Sequence, residues 1–159
     1  MPDLRLTRPT KPFDLTLSPP GSKSLTNRAL VLAALAEGRS LLSNALFADD
    51  TRVMIESLRR LGFTVVADEA ARSISVHGLA GTIPASDASL FLGNSGTSIR
   101  FLTALCGLGK GRFVLDGVAR MRQRPIGPLL DMLRNLAVRV RSLEADGFPP
   151  VEVLADGLP

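Results

Sequence analysis

The chain has 159 residues, the usual size of one domain and enough to bury a hydrophobic core without disulfides or metals. Of these residues 45% are apolar and 21% are charged, which excludes a disordered, collagen-like or coiled-coil protein. The net charge of +4 favours anionic partners, but with no Trp, no Tyr and only 7 Phe the chain lacks the aromatics that stack on bases in nucleic-acid binding.

The first predicted elements are a strand and a helix. Phe13 to Leu17 alternates apolar and polar residues like a strand, and Pro19-Pro20-Gly21 ends it. In the helix that follows, the stretch from Ala29 to Ala36 has no polar side, which indicates a helix enclosed by other elements, with Gly38 as its C-cap.

The next predicted elements complete one structural unit. A short strand lies around residues 41–43, and an amphipathic helix then runs to Gly62. Asp49 or Asp50 is expected to cap this helix, and an active-site role for the pair is the alternative. Strands at 63–67 and 74–76 follow, so the unit runs strand, helix, strand, helix, strand, strand.

The same order of elements recurs in the second half of the chain. Arg28 near the start of the first helix corresponds to Arg100, and the other matching positions are also offset by about 72 to 75 residues. Residues 20–80 and 88–159 therefore form two copies of a βαβαββ unit. The equivalence places the stretches before the two arginines at helix N-termini, where anions bind.

The first candidate site is the segment Gly21-Ser-Lys-Ser-Leu-Thr-Asn-Arg28. Ser24 is expected to cap the helix, Lys23 adds positive charge at the helix N-terminus, and Arg28 lies one turn further on, so that it leans back toward the same point. A nucleotide P-loop is excluded because it requires glycines where Ser22 and Leu17 stand. The alternative is a well-capped helix with two solvated cations.

The second candidate site is the glycine-rich turn Leu92-Gly-Asn-Ser-Gly-Thr97 between a strand and a helix. Gly96 lets a ligand approach the backbone closely, and Asn94 and Thr97 supply short polar groups beside the helix N-terminus. A turn of this kind also occurs for structural reasons alone.

The third candidate site contains three alternating arginines, Arg120, Arg122 and Arg124, before a helix that begins near a proline. Guanidinium groups suit the recognition of carboxylate or phosphate, although in an extended segment one or two of them would simply be solvated.

His77 is the only histidine, so no cluster of metal ligands is expected. The single cysteine, Cys106, is expected to be a buried free thiol in a reducing compartment.

Three motifs together carry a family resemblance. The stretches Pro-Gly-Ser-Lys-Ser-x-x-x-Arg, Leu-Gly-Asn-Ser-Gly-Thr-x-x-Arg and Arg-x-Arg-Pro-Ile-Gly resemble those of the 5-enolpyruvylshikimate-3-phosphate synthases, in the same order and separation. The resemblance covers the chain from about Leu15 to Pro159. It implies transfer of the enolpyruvyl group of phosphoenolpyruvate to the 5-hydroxyl of shikimate 3-phosphate, with release of phosphate and with no metal or organic cofactor.

The resemblance also implies the roles of individual residues. Lys23 would be the catalytic residue between both substrates, Ser24 and Arg28 would hold the shikimate phosphate, Gly96 and Arg124 would contact phosphoenolpyruvate, and Asn94 and Thr97 would shape the pocket. Glyphosate, the inhibitor associated with the family, would occupy the phosphoenolpyruvate pocket. The groups that transfer protons would come from a second domain.

The fold implied by the resemblance is an α/β domain of three βαβαββ repeats whose buried helices lie inside the sheets, like an inside-out barrel. Residues 1–19 would be a strand segment that joins the second domain, and residues 20–159 would be a partial N-terminal domain with two of the three repeats. The isolated chain would then be inactive without the missing C-terminal part of the enzyme, and the full-length enzyme would be a monomer.

Two other functions stay open. The related transferase that acts on UDP-N-acetylglucosamine commonly has a loop cysteine, which residues 116–127 lack, and Ser24 also suits the shikimate enzyme. A non-catalytic module that binds anions is the second alternative. The N-terminus does not resemble a signal peptide and no apolar run reaches the roughly 18 residues that span a bilayer, so the sequence predicts a cytoplasmic protein without membrane partners.

Overall fold

The computed structural model describes residues 7–8 and 10–157, which form two successive α/β units. Within this range the elements are, in chain order, α1 (Lys23–Leu35), β1 (Glu37–Leu42), α2 (Asp49–Arg60), β2 (Thr64–Asp68), β3 (Ser73–Leu79), β4 (Asp87–Phe91), α3 (Gly96–Cys106), β5 (Lys110–Asp116), α4 (Gly127–Asn135), β6 (Arg139–Ser142) and β7 (Val151–Asp156). The second unit has the predicted order βαβαββ. Residues 158–159 of the predicted second repeat lie outside the described residues.

The strands form two separate sheets with related topology. The first sheet has the order β1-β3-β2 and the second has the order β4-β5-β7-β6. The strands β1, β3 and β2 are antiparallel neighbours, and β5, β7 and β6 repeat this arrangement, while β4 is parallel to β5. The predicted repeat is therefore confirmed, although among the described strands β1 has no neighbour equivalent to β4.

The strand predicted over residues 13–17 does not form. Phe13, Leu15 and Leu17 are all more than half exposed, and none of the described strands pairs with this segment. An alternating pattern forms a strand only when a neighbouring strand satisfies its backbone groups and covers its apolar side. Residues 1–6 and 9 of the predicted N-terminal segment lie outside the described residues.

The hydrophobic core lies between the helices and the inner sides of the two sheets. The helix α1 contacts β1, β3, α2 and α3, and α3 contacts β5 and β7. Alternate strand residues such as Val76 in β3 and Phe113 in β5 are fully buried against these helices, as the two-residue period of a strand requires. The described strands form two open sheets and do not close into a ring. Within the described part of the chain no helix has both the length and the hydropathy to cross a membrane.

The helix α1 is buried on one side only, which corrects the prediction of a fully enclosed helix. Leu30, Ala33 and Ala34 are buried, whereas Leu25 and Leu32 are 64% and 67% exposed. The physical reason is that the helices and sheets of this chain cover α1 from one direction, and nothing in the described part packs on its other side.

Both predicted caps of α1 were placed wrongly. The N-cap is Ser22, whose side chain accepts a hydrogen bond from the N–H of Leu25, and Ser24 lies within the first turn. The helix ends at Ala36 in an extended conformation, because the chain turns directly into β1, which contains Gly38. A glycine two residues further along was therefore not the helix cap.

The ends of α2 show one wrong and one correct prediction. The helix begins at Asp49, but the backbone N–H of Ala48 donates to the hydroxyl of Thr51, so neither aspartate caps it. Both carboxylates lie in the first turn, where their negative charge interacts favourably with the positive end of the helix dipole and stabilises the helix. Gly62 follows the C-terminus with a φ of 93°, a left-handed conformation that favours glycine, as predicted.

Candidate anion-binding site

The N-termini of α1 and α3 have the same local structure. Ser22 caps α1 by accepting from Leu25 N–H, and Ser95 caps α3 by accepting from Ser98 N–H, each over 3.4 Å. The Oγ atoms of Ser95 and Ser98 are also 2.6 Å apart in a buried position. Each helix therefore presents its remaining free N–H groups and the positive end of its dipole near the segment that precedes it.

These two N-termini border one cleft of about 850 Å³. The cleft has the size of a small-molecule site. Its walls contain Lys23, Arg28, Asp49, Asp50, Val53, Leu92, Gly93, Asn94, Ser95, Gly96, Thr97, Arg100, Phe101 and Arg124. Six of the seven predicted site residues thus line the same cavity, although they are separated by up to about 100 positions along the chain.

Lys23 projects from the first turn of α1 toward the first turn of α2. Its Nζ atom lies 3.0 Å from Oδ2 of Asp50, and the two side chains are 48% and 23% exposed. An exposed pair of this kind contributes little to stability because water solvates both charges. The pair instead holds the ammonium group at the cleft, where it remains available to an anion.

Gly96, Arg100 and Arg124 form a second charged wall. Arg100 donates from Nη1 to the carbonyl oxygen of Gly96 over 3.0 Å and from Nη2 to that of Pro125 over 2.9 Å. It therefore links the N-terminus of α3 to the loop that carries Arg124. The Nη1 atom of Arg124 lies 3.4 Å from the carbonyl oxygen of Asn94 and directly beside the Cα of Gly96.

The absence of a side chain at Gly96 creates the space that Arg124 occupies. A Cβ atom at this position would lie inside the van der Waals contact distance of Arg124 Nη1 and 3.6 Å from Arg100 Nη1. The approach of a ligand to the backbone at Gly96 stays a prediction, and the group that lies beside Gly96 in the structure is the guanidinium of Arg124.

Some residues of the predicted motifs lie outside the cleft. Ser24 is exposed in the first turn of α1 and does not line the cavity, and neither do Arg120 and Arg122. The alternating arginines do not share one side, because residues 119–123 form turns instead of an extended segment. Only Arg124 of these three arginines reaches the cleft.

Sequence reasoning also missed residues that line the cleft. Arg100 lines the cleft, and its equivalence to Arg28 in the repeat is the sequence signal that indicates it. Asp49 and Asp50 were assigned mainly to helix capping, and the structure places both in the wall of the cleft. Phe101 adds an apolar contact that no motif indicated.

The charges of the cleft suit small anions with several negative groups. Four cationic side chains and two carboxylates line it, so cations outnumber the acids. Among the described residues no group of three or more His, Cys, Asp or Glu side chains is arranged to hold a metal ion. The arrangement brings together guanidinium, ammonium and backbone N–H donors, which are the groups that suit phosphate or carboxylate.

Comparison with solved structures identifies the class of the fold. An EPSP synthase from Acinetobacter baumannii superposes with a TM-score of 0.78 at 28% identity, covering 87% of this chain and 31% of that one. The enolpyruvyl transferase NikO from Streptomyces tendae superposes with a TM-score of 0.54 at 26% identity, covering 85% and 28% of the two chains. The fold is that of the enolpyruvyl transferases.

Sequence comparison identifies the family within this class. The model of the family described as EPSP synthase (3-phosphoshikimate 1-carboxyvinyltransferase) matches residues 7–158. The 3-phosphoshikimate 1-carboxyvinyltransferases of Opitutus terrae and Shewanella pealeana are each 48% identical over 99% of this chain. The chain belongs to the EPSP synthase family, and it spans 37% of the length of these two curated relatives.

Proposed function

We propose that the protein to which this chain belongs is a 3-phosphoshikimate 1-carboxyvinyltransferase. It would transfer the enolpyruvyl group of phosphoenolpyruvate to the 5-hydroxyl of shikimate 3-phosphate and release inorganic phosphate. The single observation that carries the proposal is that Lys23, Gly96 and Arg124, from three motifs distant in sequence, line one cleft at two helix N-termini.

The position of Lys23 supports its role between the two substrates. It lies at the N-terminus of α1, and its ammonium group faces α2 across the cleft through Asp50. Both substrates carry several negative charges, so bringing them together costs electrostatic free energy that a fixed cation offsets. Lys23 would stabilise the charge of both substrates and of the tetrahedral intermediate between them.

The remaining cationic groups suggest how the two substrates are arranged. We assign the shikimate phosphate to Arg28 and Ser24 on α1, and phosphoenolpyruvate to Gly96 and Arg124 at the N-terminus of α3. Asn94 and Thr97 would shape the pocket beside them. Because the guanidinium of Arg124 lies against the backbone of Gly96, it is held ready to make two parallel hydrogen bonds to a carboxylate or phosphate.

The exposed apolar residues support the proposal that a longer protein completes the fold. Leu25 and Leu32 form an open apolar surface on α1, and β1 has an unpaired edge among the described strands. A third repeat would cover this surface, and a second domain would pair with residues 13–17 and supply the acid and base groups. We infer a monomer for the full-length protein.

A cytoplasmic location is part of the same proposal. Cys106 is fully buried, and this burial raises the pKa of its thiol to about 12, so the thiolate that reacts with oxidants is scarce. Because Cys106 is the only cysteine of the chain, it has no disulfide partner within it. Both features suit a reducing compartment.

The decisive experiment measures phosphate release by the full-length protein with both substrates present. Lys23→Ala is expected to reduce turnover and to weaken substrate binding by about 10- to 100-fold. This range corresponds to the loss of one charge-assisted hydrogen bond, which contributes ~1.5–3 kcal/mol. Lys110→Ala is the matched control, since it removes the same charge from an exposed position outside the cleft.

Three outcomes would contradict parts of the proposal. No transfer to shikimate 3-phosphate by the full-length protein would exclude the activity, and transfer to UDP-N-acetylglucosamine would favour the related enzyme. Binding of both anions without any transfer would favour a non-catalytic module. Turnover by the 159-residue chain alone would contradict the need for a second domain.

A further inference from the structure

The three arginines of the loop between β5 and α4 have different surroundings. Arg120 is exposed and donates to the side-chain oxygen of Gln123 over 3.2 Å. Arg124 lines the cleft. Arg122 lies between them in sequence, does not line the cleft, and contacts carboxylates from two other parts of the chain. The family motif includes Arg122 and Arg124, but the cleft gives Arg122 no role.

Arg122 joins two carboxylates that lie on either side of the loop. Its Nε and Nη2 atoms donate to the two carboxylate oxygens of Asp116 over 3.0 and 2.6 Å, and its Nη1 atom donates to Glu144 over 2.8 Å. Asp116 is the last residue of β5, and Glu144 lies just after β6. These contacts, called here the carboxylate clamp, connect the loop to the second sheet at two points.

Several features make the Asp116 side of the clamp rigid. The bond to Arg122 is bidentate, and Oδ1 of Asp116 also accepts from the backbone N–H of Gly117 over 2.7 Å. Partial burial raises the pKa of Asp116, but hydrogen bonds from Arg122 and Gly117 outweigh this effect and hold it below its usual range. Asp116 is therefore ionised at neutral pH, as a charge-assisted pair requires.

The clamped loop is also attached to the wall of the cleft. The N–H of Val118 donates to the carbonyl oxygen of Gly93 over 3.0 Å, and Met121 is fully buried. The N–H of Arg124 donates to the carbonyl oxygen of Met121 over 2.9 Å. The position of Arg124 beside Gly96 therefore depends on a short segment that two charged side chains anchor: Arg122 through Asp116 and Glu144, and Arg100 through the carbonyl oxygen of Pro125.

We propose that Arg122 is a positioning residue for Arg124, because the carboxylate clamp fixes the loop that presents Arg124 to the bound anion. The inference deepens the proposed function, on which it rests for the role of Arg124 in phosphoenolpyruvate binding. Arg122 itself does not touch the substrate. It acts by keeping the Arg124 guanidinium at one place on the cleft wall.

The test is a titration of the full-length protein with inorganic phosphate at constant ionic strength, followed by NMR through the amide signals of Gly96 and Thr97. Arg122→Gln is expected to weaken phosphate binding about tenfold, because a displacement of about 1 Å in a charged contact has effects of this order or larger. Arg120→Gln is the matched control, since it removes the same charge from the same loop and should leave binding unchanged.

Two conservative variants separate positioning from general stability. Arg122→Lys keeps the charge and one carboxylate contact, so it should restore part of the lost affinity. Glu144→Gln removes one arm of the clamp at an exposed residue, so it should weaken binding about two- to threefold without unfolding the chain. A role limited to stability would lower the unfolding midpoint and leave the phosphate affinity of the folded chain unchanged.

Equal phosphate affinity of Arg122→Gln and Arg120→Gln would overturn the inference, and so would the absence of any phosphate-dependent change at Gly96 and Thr97 in the full-length wild type. Failure of the proposed function would appear in a different measurement, the transfer assay, in which the full-length protein would show no enolpyruvyl transfer. A clamp effect on phosphate binding without any such transfer would support the positioning role of Arg122 and reject the activity.

Discussion

A substitution at Gly96 tests directly how closely the guanidinium of Arg124 packs against the backbone of the cleft. In Gly96→Ala the new Cβ would lie about 1 Å inside the normal contact distance of Arg124 Nη1. The atom that must move is the far end of a long side chain, so the rest of the fold need not change. The expected result is a displaced guanidinium in an otherwise intact protein.

The two consequences of this substitution have different magnitudes. A displacement of about 1 Å should weaken anion binding by about 10- to 100-fold, or ~1.4–2.7 kcal/mol. Stability should be unchanged or should rise by up to ~1 kcal/mol, because Gly96 is the first residue of α3 and alanine favours the helix. Anion binding is therefore expected to weaken without a loss of stability.

The assay combines phosphate titration with urea unfolding of the same variants. Gly127→Ala is the matched control, because Gly127 is the first residue of α4 and a Cβ there would make only an ordinary contact of 3.5 Å with Gly147. Unchanged phosphate affinity in Gly96→Ala would refute the reasoning, as would a loss of stability above ~2 kcal/mol.

In the full-length protein the added methyl should also reduce inhibition by glyphosate more than it reduces phosphoenolpyruvate binding, and equal inhibition of mutant and parent would count against this.

Two further predictions concern the fold. Gly78→Ala should destabilise the chain by about 3 kcal/mol in urea unfolding, because the Cβ would overlap the carbonyl oxygens of Ala33 and Ala36, which are backbone atoms; a cost below ~1 kcal/mol would contradict this. Hydrogen bonds from Arg141 and Arg112 hold the pKa of Glu152 below 4.5, so its contribution to stability is present above that pH and is lost as the pH falls further. The stability advantage of the wild type over Glu152→Gln should therefore shrink in acid, and an equal advantage at pH 7 and pH 3 would exclude the effect.

Most of the helices and strands could be predicted because their signals are local. Two short segments joined by a polar turn marked β2 and β3, and Gly62 marked the end of α2. The caps of α1 were harder, because Ser22 and Ser24 are equally able to cap a helix and only the backbone path decides between them. The strand expected at residues 13–17 failed for a related reason, since a strand depends on a neighbour that the pattern itself does not specify.

The cleft was partly predictable because repeated units place equivalent segments in equivalent positions. The two helix N-termini were expected near Arg28 and Arg100, and both lie at the cleft. The functions of the three loop arginines were not predictable, because Arg122 pairs with Asp116 and Glu144 through the folding of the loop and not through sequence spacing.

By itself the sequence determined the family, the repeat and most of the residues that line the cleft, because motifs, periodicity and glycine-rich turns act over a few neighbouring residues. Only the tertiary structure decided that Lys23 faces Asp50, that Arg124 lies against Gly96, and that Arg122 turns away from the cleft. The contacts of Lys23 with Asp50, of Arg124 with Gly96 and of Arg122 with Glu144 join segments more than about 20 residues apart. The direction of a long charged side chain depends on which partners the packed backbone brings within reach.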